Sequence, residues 1–434
     1  MSRIRRRQIV AVTAAASLLA LTAACSSGSG SDDSSASSGA PSGDITVLTN
    51  RTDLVDTTFQ DYKKTFEAKY PDVKVTFEAI TDYDGEVKTR MNTDDYGDVL
   101  ILPTGIANGD LPSFFEPLGT TDELAKTYRF VNEQANGGKA YALATFGNAN
   151  GIVYNKKVFR DAGITAEPTS TDELMTDLKA IKDKTDAVPL YTNYKDGWPL
   201  TWPQGLMGAY SGDKDALVKM AKDKAPWTKG QEKYEVDSLL YDIAAAGLIE
   251  DDPTTTNWED SKNLIATGKI GTMVLGSWAV PQMKDAAKTA GTDPADIGFM
   301  PAPVKVDGAL HAPVGGDRQL AINVHSKHKA AARAWFDWFI NDSGFYEVSG
   351  GLPTVTSDPV SSNLKDFEAT GVKYLEMTPS PELSDISKSS EVGIDQPDYY
   401  RELIDAARGA SGQTKDQIFE QLNSKWATGV ATAG

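Results

Sequence analysis

The stretch Asp44–Leu102, DITVLTNRTDLVDTTFQDYKKTFEAKYPDVKVTFEAITDYDGEVKTRMNTDDYGDVLIL, decides the fold. Ile45–Thr49 is a short β-forming run and reads as a buried strand. Phe59, Tyr62, Phe66 and Tyr70 recur at helical spacing until Pro71 stops the helix. Val73–Phe77 alternates as a strand, Asp84–Asn92 reads as a helix, and Asp98–Leu102 is a further buried strand ended by Pro103. A β-α-β-α-β order predicts an α/β protein whose mostly parallel sheet carries helices on both faces. Ligands of such sheets bind beyond the carboxyl ends of the strands. The loops Asn50–Asp53, Asp82–Tyr83 and Pro103–Gly105 therefore share one rim.

Downstream, Gly138–Leu143 leads through Thr145–Asn148 into Gly151–Lys156, a long extended segment broken by small and polar residues. Ser170 and Glu173 form a capping box for a helix starting at Thr171. An α-rich stretch then runs to about Ala290, interrupted by the strands Ala187–Tyr191 and Ile270–Leu275. Ile297–Val306 is extended again and precedes His311–Val324. A helix over Ala330–Ile340, a break at Gly350-Gly351 and a polar helical tail complete the chain. No period of 20–50 residues repeats, which argues against a solenoid.

Upstream, Arg3, Arg5, Arg6 and Arg7 precede the apolar run Ile9–Leu21, the pattern of an export signal. Arg6-Arg7 leaves a twin-arginine route open beside the general one. Leu21-Thr22-Ala23-Ala24-Cys25 looks like a lipobox, with the chain's single Cys at the position that would take the lipid. Residues 26–43 are a Ser/Gly/Asp tract with nothing to bury, a tether of roughly 20–25 Å on random-coil scaling. Over the whole chain 43 basic residues face 61 acidic ones, a formal charge of -18. That balance argues against nucleic acid, whose phosphates need a basic footprint, and against a polybasic membrane patch. One Cys and three His leave little for a disulfide or a zinc site. Asp82–Glu86 has its Gly at the fourth position rather than the sixth of an EF-hand loop. No metal, cofactor or catalytic residue is expected.

The lipobox, the Ser-rich tether, YPDVKV at 70–75, GDVLIL at 97–102, GIVYNKKVF at 151–159 and GKIGTMVLGSWAVPQM at 268–283 together carry a resemblance. So do GFMPAP at 298–303 and GGDRQLAINVHSKHKAAARAWFDWF at 315–339. In order and spacing the set resembles the extracellular solute-binding lipoproteins of carbohydrate ABC transporters, of the maltose/maltodextrin-binding type. The resemblance implies a two-lobed periplasmic-binding-protein fold. Each lobe would be a mixed, mostly parallel sheet flanked by helices, with the ligand in the cleft between lobes. It implies a signal peptide at 1–24, a tether at 25–43 and a binding domain at 44–434. One lobe would hold about 44–147 and 305–351, the other about 148–304 and 352–434, with crossings near 144–150, 300–305 and 351–354. The partners implied are a mono- or oligosaccharide, the transmembrane permease subunits and, through the lipid, the outer face of the bacterial cytoplasmic membrane. The protein is expected to act as a monomer.

A sugar offers C–H faces to flat rings and hydroxyls to planar polar groups. Trp278 follows a strand end at Gly276-Ser277 and is the first candidate platform. Trp198 and Trp202, set among turn formers, and Tyr83 are the others. The polar candidates are Asn50, Arg51, Asp53, Asp82, Thr104, Asn148, Asp317 and Arg318, with Gly316 letting backbone approach the ligand. Arg51-Asp53 and Asp317-Arg318 read equally as structural ion pairs, and two Arg in one cleft leave an acidic ligand such as a uronate open. Trp335, Phe336, Trp338 and Phe339 form a broad apolar helix face and read as core, while Trp227, Trp258 and Trp426 read as packing or surface residues. The alternatives are a binding protein for a polyamine, peptide or other non-sugar, and a cell-surface glycosidase. The acidic pairs Asp94-Asp95, Asp251-Asp252 and Glu259-Asp260 are what 61 acids give by chance. If Cys25 is the lipid acceptor, Cys25→Ala should release the protein from membranes or block its processing, read by fractionation. Unchanged membrane association would refute the anchor.

Overall fold

The computed structural model describes residues 40–433. The signal segment, Cys25 and all but the last residues of the tether fall outside the described residues. The opening expectation is met closely. Strand β1 (Gly43–Thr49) pairs in parallel with β2 (Val73–Ala79) and β3 (Val99–Ile101). The helix Thr58–Lys69 buries Phe59 and Phe66, two turns apart, against this sheet. Gly119–Thr120 (β4), Ala135–Asn136 (β5) and Lys139–Ala140 (β6) make a small separate sheet.

Two fourteen-residue strands organise the rest: β7 (Ala142–Asn155) and, after β8 (Val188–Leu190), β9 (Ile270–Gly276), β10 (Ile297–Met300) and β11 (Lys305–Val306), β12 (Ala309–Ile322). The main sheet has the order β2-β1-β3-β12-β7-β9-β8, with β10 on β7 and both β11 and β13 (Lys373–Glu376) on β12. The sheet is mixed, as expected, but its parallel character is confined to the flanks. β12 runs antiparallel to both β3 and β7, and β7 runs antiparallel to β9 and β10. The parallel start thus meets an antiparallel centre, because the long strands run antiparallel to each other, to β3 and to β9; the parallel neighbour of β12 is β13, at one end of it. The tail is not wholly helical either, since β13 adds an edge alongside His311–Val314.

Hydrophobic cores lie on both sides of these strands. Ile45, Phe66, Val75 and Leu320 pack with Trp335, Phe336 and Trp338. Ile152, Leu178, Leu240, Trp227, Tyr400 and Trp426 pack around the other half. A third cluster, with Ala144, Leu275, Val280 and Leu352, lies between them along the long strands. Because β7 and β12 belong to both halves, the described residues hold together as one compact unit. Among them no helix is long and apolar enough to cross a membrane.

Trp335 is 1% exposed, with Phe66 5.0 Å and Trp338 5.3 Å away between ring centroids. It is core, as its helical spacing indicates, and so are Trp227 and Trp426. Trp335→Ala should cost about 3–5 kcal/mol of stability, because the aromatic cage around the lost indole relaxes only in part. Denaturant unfolding would measure it.

Candidate functional site

A cleft of about 940 Å³ opens where the ends of β1 and β9 face the middle of β7 and β12. One wall is aromatic. Trp278 lies 5.8 Å from Trp198 and 5.7 Å from Trp202 between ring centroids, at interplanar angles of 40° and 44°. Three indoles thus tile a curved surface. The helix Trp258–Ala266 puts Trp258 behind it, 4.9 Å edge-on to Trp198 and 5.6 Å from Trp278. Trp198 is 40% exposed, an unusual state for an indole on a protein surface. The other exposed large hydrophobic side chain among the described residues, Val348, lines the same cleft.

Local structure explains how the wall is held. Trp278 stands at the turn between β9 and the helix Ala279–Ala290. Gly276 is required before it: a Cβ there would come within 2.8 Å of both the Trp202 and Trp278 rings. Trp198 and Trp202 sit on a nine-residue 3-10 segment, Trp198–Leu206, where the sequence suggested an irregular loop. Pro203, inside the segment, removes an amide donor that an α-helix would use, whereas Pro199 stands in the first turn where none is needed. A buried pair underpins the segment. Lys233 donates to Gln204 Oε1 at 2.7 Å and to Asp237 at 3.0 Å, and Asp237 also accepts from Trp227 at 2.7 Å and from Tyr399. Burial pulls the Lys233 ammonium below its ordinary pKa.

The floor is polar and already bonded. Ser277 Oγ donates to Asn148 Oδ1 at 3.4 Å, and Asn148 Nδ2 donates to Asp317 Oδ2 at 2.8 Å. Asp317 Oδ1 accepts the Arg318 amide at 2.7 Å, and Arg318 Nε donates to Asn50 at 3.3 Å. The chain of bonds runs from the Trp278 turn to the end of β1. Arg51 grips Asp53 with two prongs, at 2.7 and 2.6 Å, which holds the Asp53 carboxyl below its ordinary range. Burial draws the Arg318 guanidinium down from its ordinary value, and its Cζ lies 5.6 Å over the Phe146 ring.

The cleft brings together Asn50, Arg51, Asp53, Asn148, Trp198, Trp202, Trp278, Asp317 and Arg318. It does not bring in Tyr83, Asp82, Thr104 or Gly316. Tyr83 is 6% exposed and its hydroxyl donates to the Ile101 carbonyl at 2.8 Å, so it is a core ring and not a platform. Asp82 precedes the helix Tyr83–Arg90 on the surface, and Thr104 bonds to Asp84 beside it. Gly316 turns its open side to Glu133 rather than to the cleft. The ion-pair reading of Arg51-Asp53 and Asp317-Arg318 and their position in the cleft are both true. Phe146, Gln282, Asp285 and Val348 also line it. Phe146 stands two residues before Asn148 on one strand face, and Gln282 one helical turn after Trp278, so periodicity signals both. Val348 has no local signal.

Comparison with known proteins gives concordant findings. Residues 51–344 match the model of the bacterial extracellular solute-binding protein family. A manno-oligosaccharide specific solute binding protein of Bifidobacterium animalis subsp. lactis, BlMnBP2, solved with mannotriose, is 33% identical with a TM-score of 0.78. That alignment covers 90% of this chain and 95% of the other. BlMnBP1, an ABC transporter binding protein of the same organism solved with mannobiose, is 33% identical with a TM-score of 0.77 over the same shares. The diacetylchitobiose binding protein DasA of Streptomyces coelicolor is 27% identical over 326 residues, 70% of this chain and 71% of that protein.

Proposed function

The chain belongs to the bacterial extracellular solute-binding protein family, and from that membership we propose that its cleft captures a short, uncharged oligosaccharide for an ABC importer. The observation that carries this reading is the pairing of a three-indole wall with a pre-bonded polar floor in one cleft. Indole faces cover the C–H faces of pyranose rings, and the fixed carboxylates and amides offer directed bonds to hydroxyls. Asn50, Arg51, Asp53, Asn148, Asp317 and Arg318 make the polar contacts; Trp198, Trp202 and Trp278 stack. Both guanidinia are engaged by residues of the site itself. With Asp285 the lining carries three carboxylates to two guanidinia, which favours a neutral sugar over a uronate. The manno-oligosaccharide proteins at 33% identity support mannobiose and mannotriose as the first ligands to test. Relatives described as binding proteins support capture without catalysis.

The family works outside the cytoplasm. The finer reading is a monomer tethered by lipidated Cys25 to the outer face of the cytoplasmic membrane, delivering ligand to permease subunits. Its two lobes, about 44–147 with 305–351 and about 148–304 with 352–434, close by flexing of the crossing segments. The separate cores on either side of β7 and β12 support that division. Ligand then selects the closed form by binding it better.

Calorimetry against mannobiose, mannotriose, chitobiose and raffinose tests the ligand class, and heat from none of them would overturn it. Trp278→Ala should weaken binding by about 2–3 kcal/mol, on the order of 30- to 150-fold in Kd, while Trp278→Phe loses much less. Normal affinity with early melting in Trp278→Ala would make this Trp core. Small-angle scattering should show a smaller radius of gyration at saturating sugar; heat of binding without compaction would remove the closure step.

A further inference from the structure

Arg318 has a left-handed backbone, φ 46°, in the middle of a strand, a conformation disfavoured for any residue with a Cβ. The β12–β7 register runs from Val314↔Ala149 to Asp317↔Phe146, skips Arg318 and resumes at Gln319↔Ala144. Something besides the ladder must hold this step. Glu133 approaches from behind the strand. One carboxylate oxygen accepts the Gly316 amide at 2.8 Å, and the other accepts Gln319 Nε2 at 2.6 Å. The two bonds bracket Asp317 and Arg318. A Cβ on Gly316 would lie 2.7 Å from Glu133 Oε2, so the glycine admits this carboxylate.

We propose that Glu133 is a positioning residue for the cleft: as a carboxylate it clamps Gly316 and Gln319, holds the left-handed step at Arg318, and thereby presents Asp317 and Arg318 to the sugar. The inference rests on the sugar-binding reading above. With Gln319 turned to donate Nε2, both oxygens of Glu133 act as acceptors, which the ionised form supplies; a neutral carboxyl keeps the pair only by turning the Gln319 amide so that Oε1, otherwise without a partner, accepts its O–H. The surroundings resist the ionised form. Burial is the main cause, and the carboxylates of Glu376 on β13 and Asp317 on β12 add to it, pushing the Glu133 carboxyl up to about 7. Arg129 faces Glu376 at 3.6 Å, and Arg318 stands beside Asp317. Affinity therefore rises as pH rises through about 7. Stability takes the opposite sign: the native state holds this proton more tightly than the unfolded chain, so its contribution falls from about pH 4.5 to 7.

The test is calorimetry with mannotriose at pH 6, 7 and 8 on wild type, Glu133→Gln and Gln319→Met. Wild-type Kd should fall about threefold to tenfold from pH 6 to 8, the worth of one hydrogen bond at its ordinary net value. Glu133→Gln offers one acceptor, so its Kd should be flat and close to the wild-type value at pH 6. Gln319→Met removes a donor to the carboxylate, so its transition should move to higher pH; it also serves if Glu133→Gln fails to fold. A flat wild-type Kd, or a Glu133→Gln protein that keeps the wild-type slope, overturns the proposal. Absence of heat with mannotriose at every pH would count against the sugar reading, and hydrogen exchange in the free protein then decides on Glu133. The Gly316 backbone amide, which the clamp bonds directly, should be better protected at pH 8 than at pH 6 in wild type, after correction for intrinsic rates, and equally protected in Glu133→Gln. Equal protection in wild type overturns the clamp.

Discussion

Seven registered pairs between β7 and β12 hold this molecule together. The two strands lie antiparallel at the centre of the sheet, and every other strand of that sheet joins one of them directly or through intervening strands. β3 and its parallel partners hang on one side of the pair, β9 and β8 on the other. The constraint is geometric. A strand pair of this length spans two cores, so it ties the two halves into one sheet. The loops of both halves then open toward its middle. The cleft is where the ladder passes between the cores, and Asn148 and Asp317 sit in the cleft because they sit in the ladder.

The two surfaces of the cleft achieve rigidity in different ways. The indoles are wedged: Trp198, Trp202, Trp258 and Trp278 press edge and face against one another, and Gly276 leaves them room. They need no bond to a ligand to be in place, which lowers the ordering cost of binding. The polar groups are held by each other. Asp53, Asp317 and Asn148 each have a partner before any ligand arrives, so an incoming hydroxyl meets oriented acceptors. The cost is that a site so neutralised has little to offer a charged guest.

Much of this was legible in the sequence, and the gaps have physical causes. The opening strands, Trp278 after a strand end and the core face around Trp335 follow from local period and turn chemistry. Tyr83 stands beside a loop and reads as a platform, yet its own helix carries the contrary signal, since Tyr83 and Val87, one turn apart, are both inward. Trp258 has no local mark of function: it heads a helix capped by Asn257, and it meets Trp198 only because the chain returns there. The antiparallel centre escaped for the same reason, because β3 and β12 are far apart in sequence and nothing in either strand names its partner. Gly316 looked like an opening for ligand and is an opening for Glu133, a residue in a segment with no motif at all.

The insertion of β12 between β3 and β7 also governs when the protein can fold. β3 ends at Ile101 and β7 at Asn155, yet the strand that joins them does not leave the ribosome until after Ile322. Until then each half of the sheet ends in an unpaired edge and the first core lacks Trp335 and Phe336. Pairings of such long sequence separation form slowly. In a family whose members work outside the cytoplasm, closing the central sheet late means that the cleft, built on β7 and β12, is completed only when most of the chain has been made.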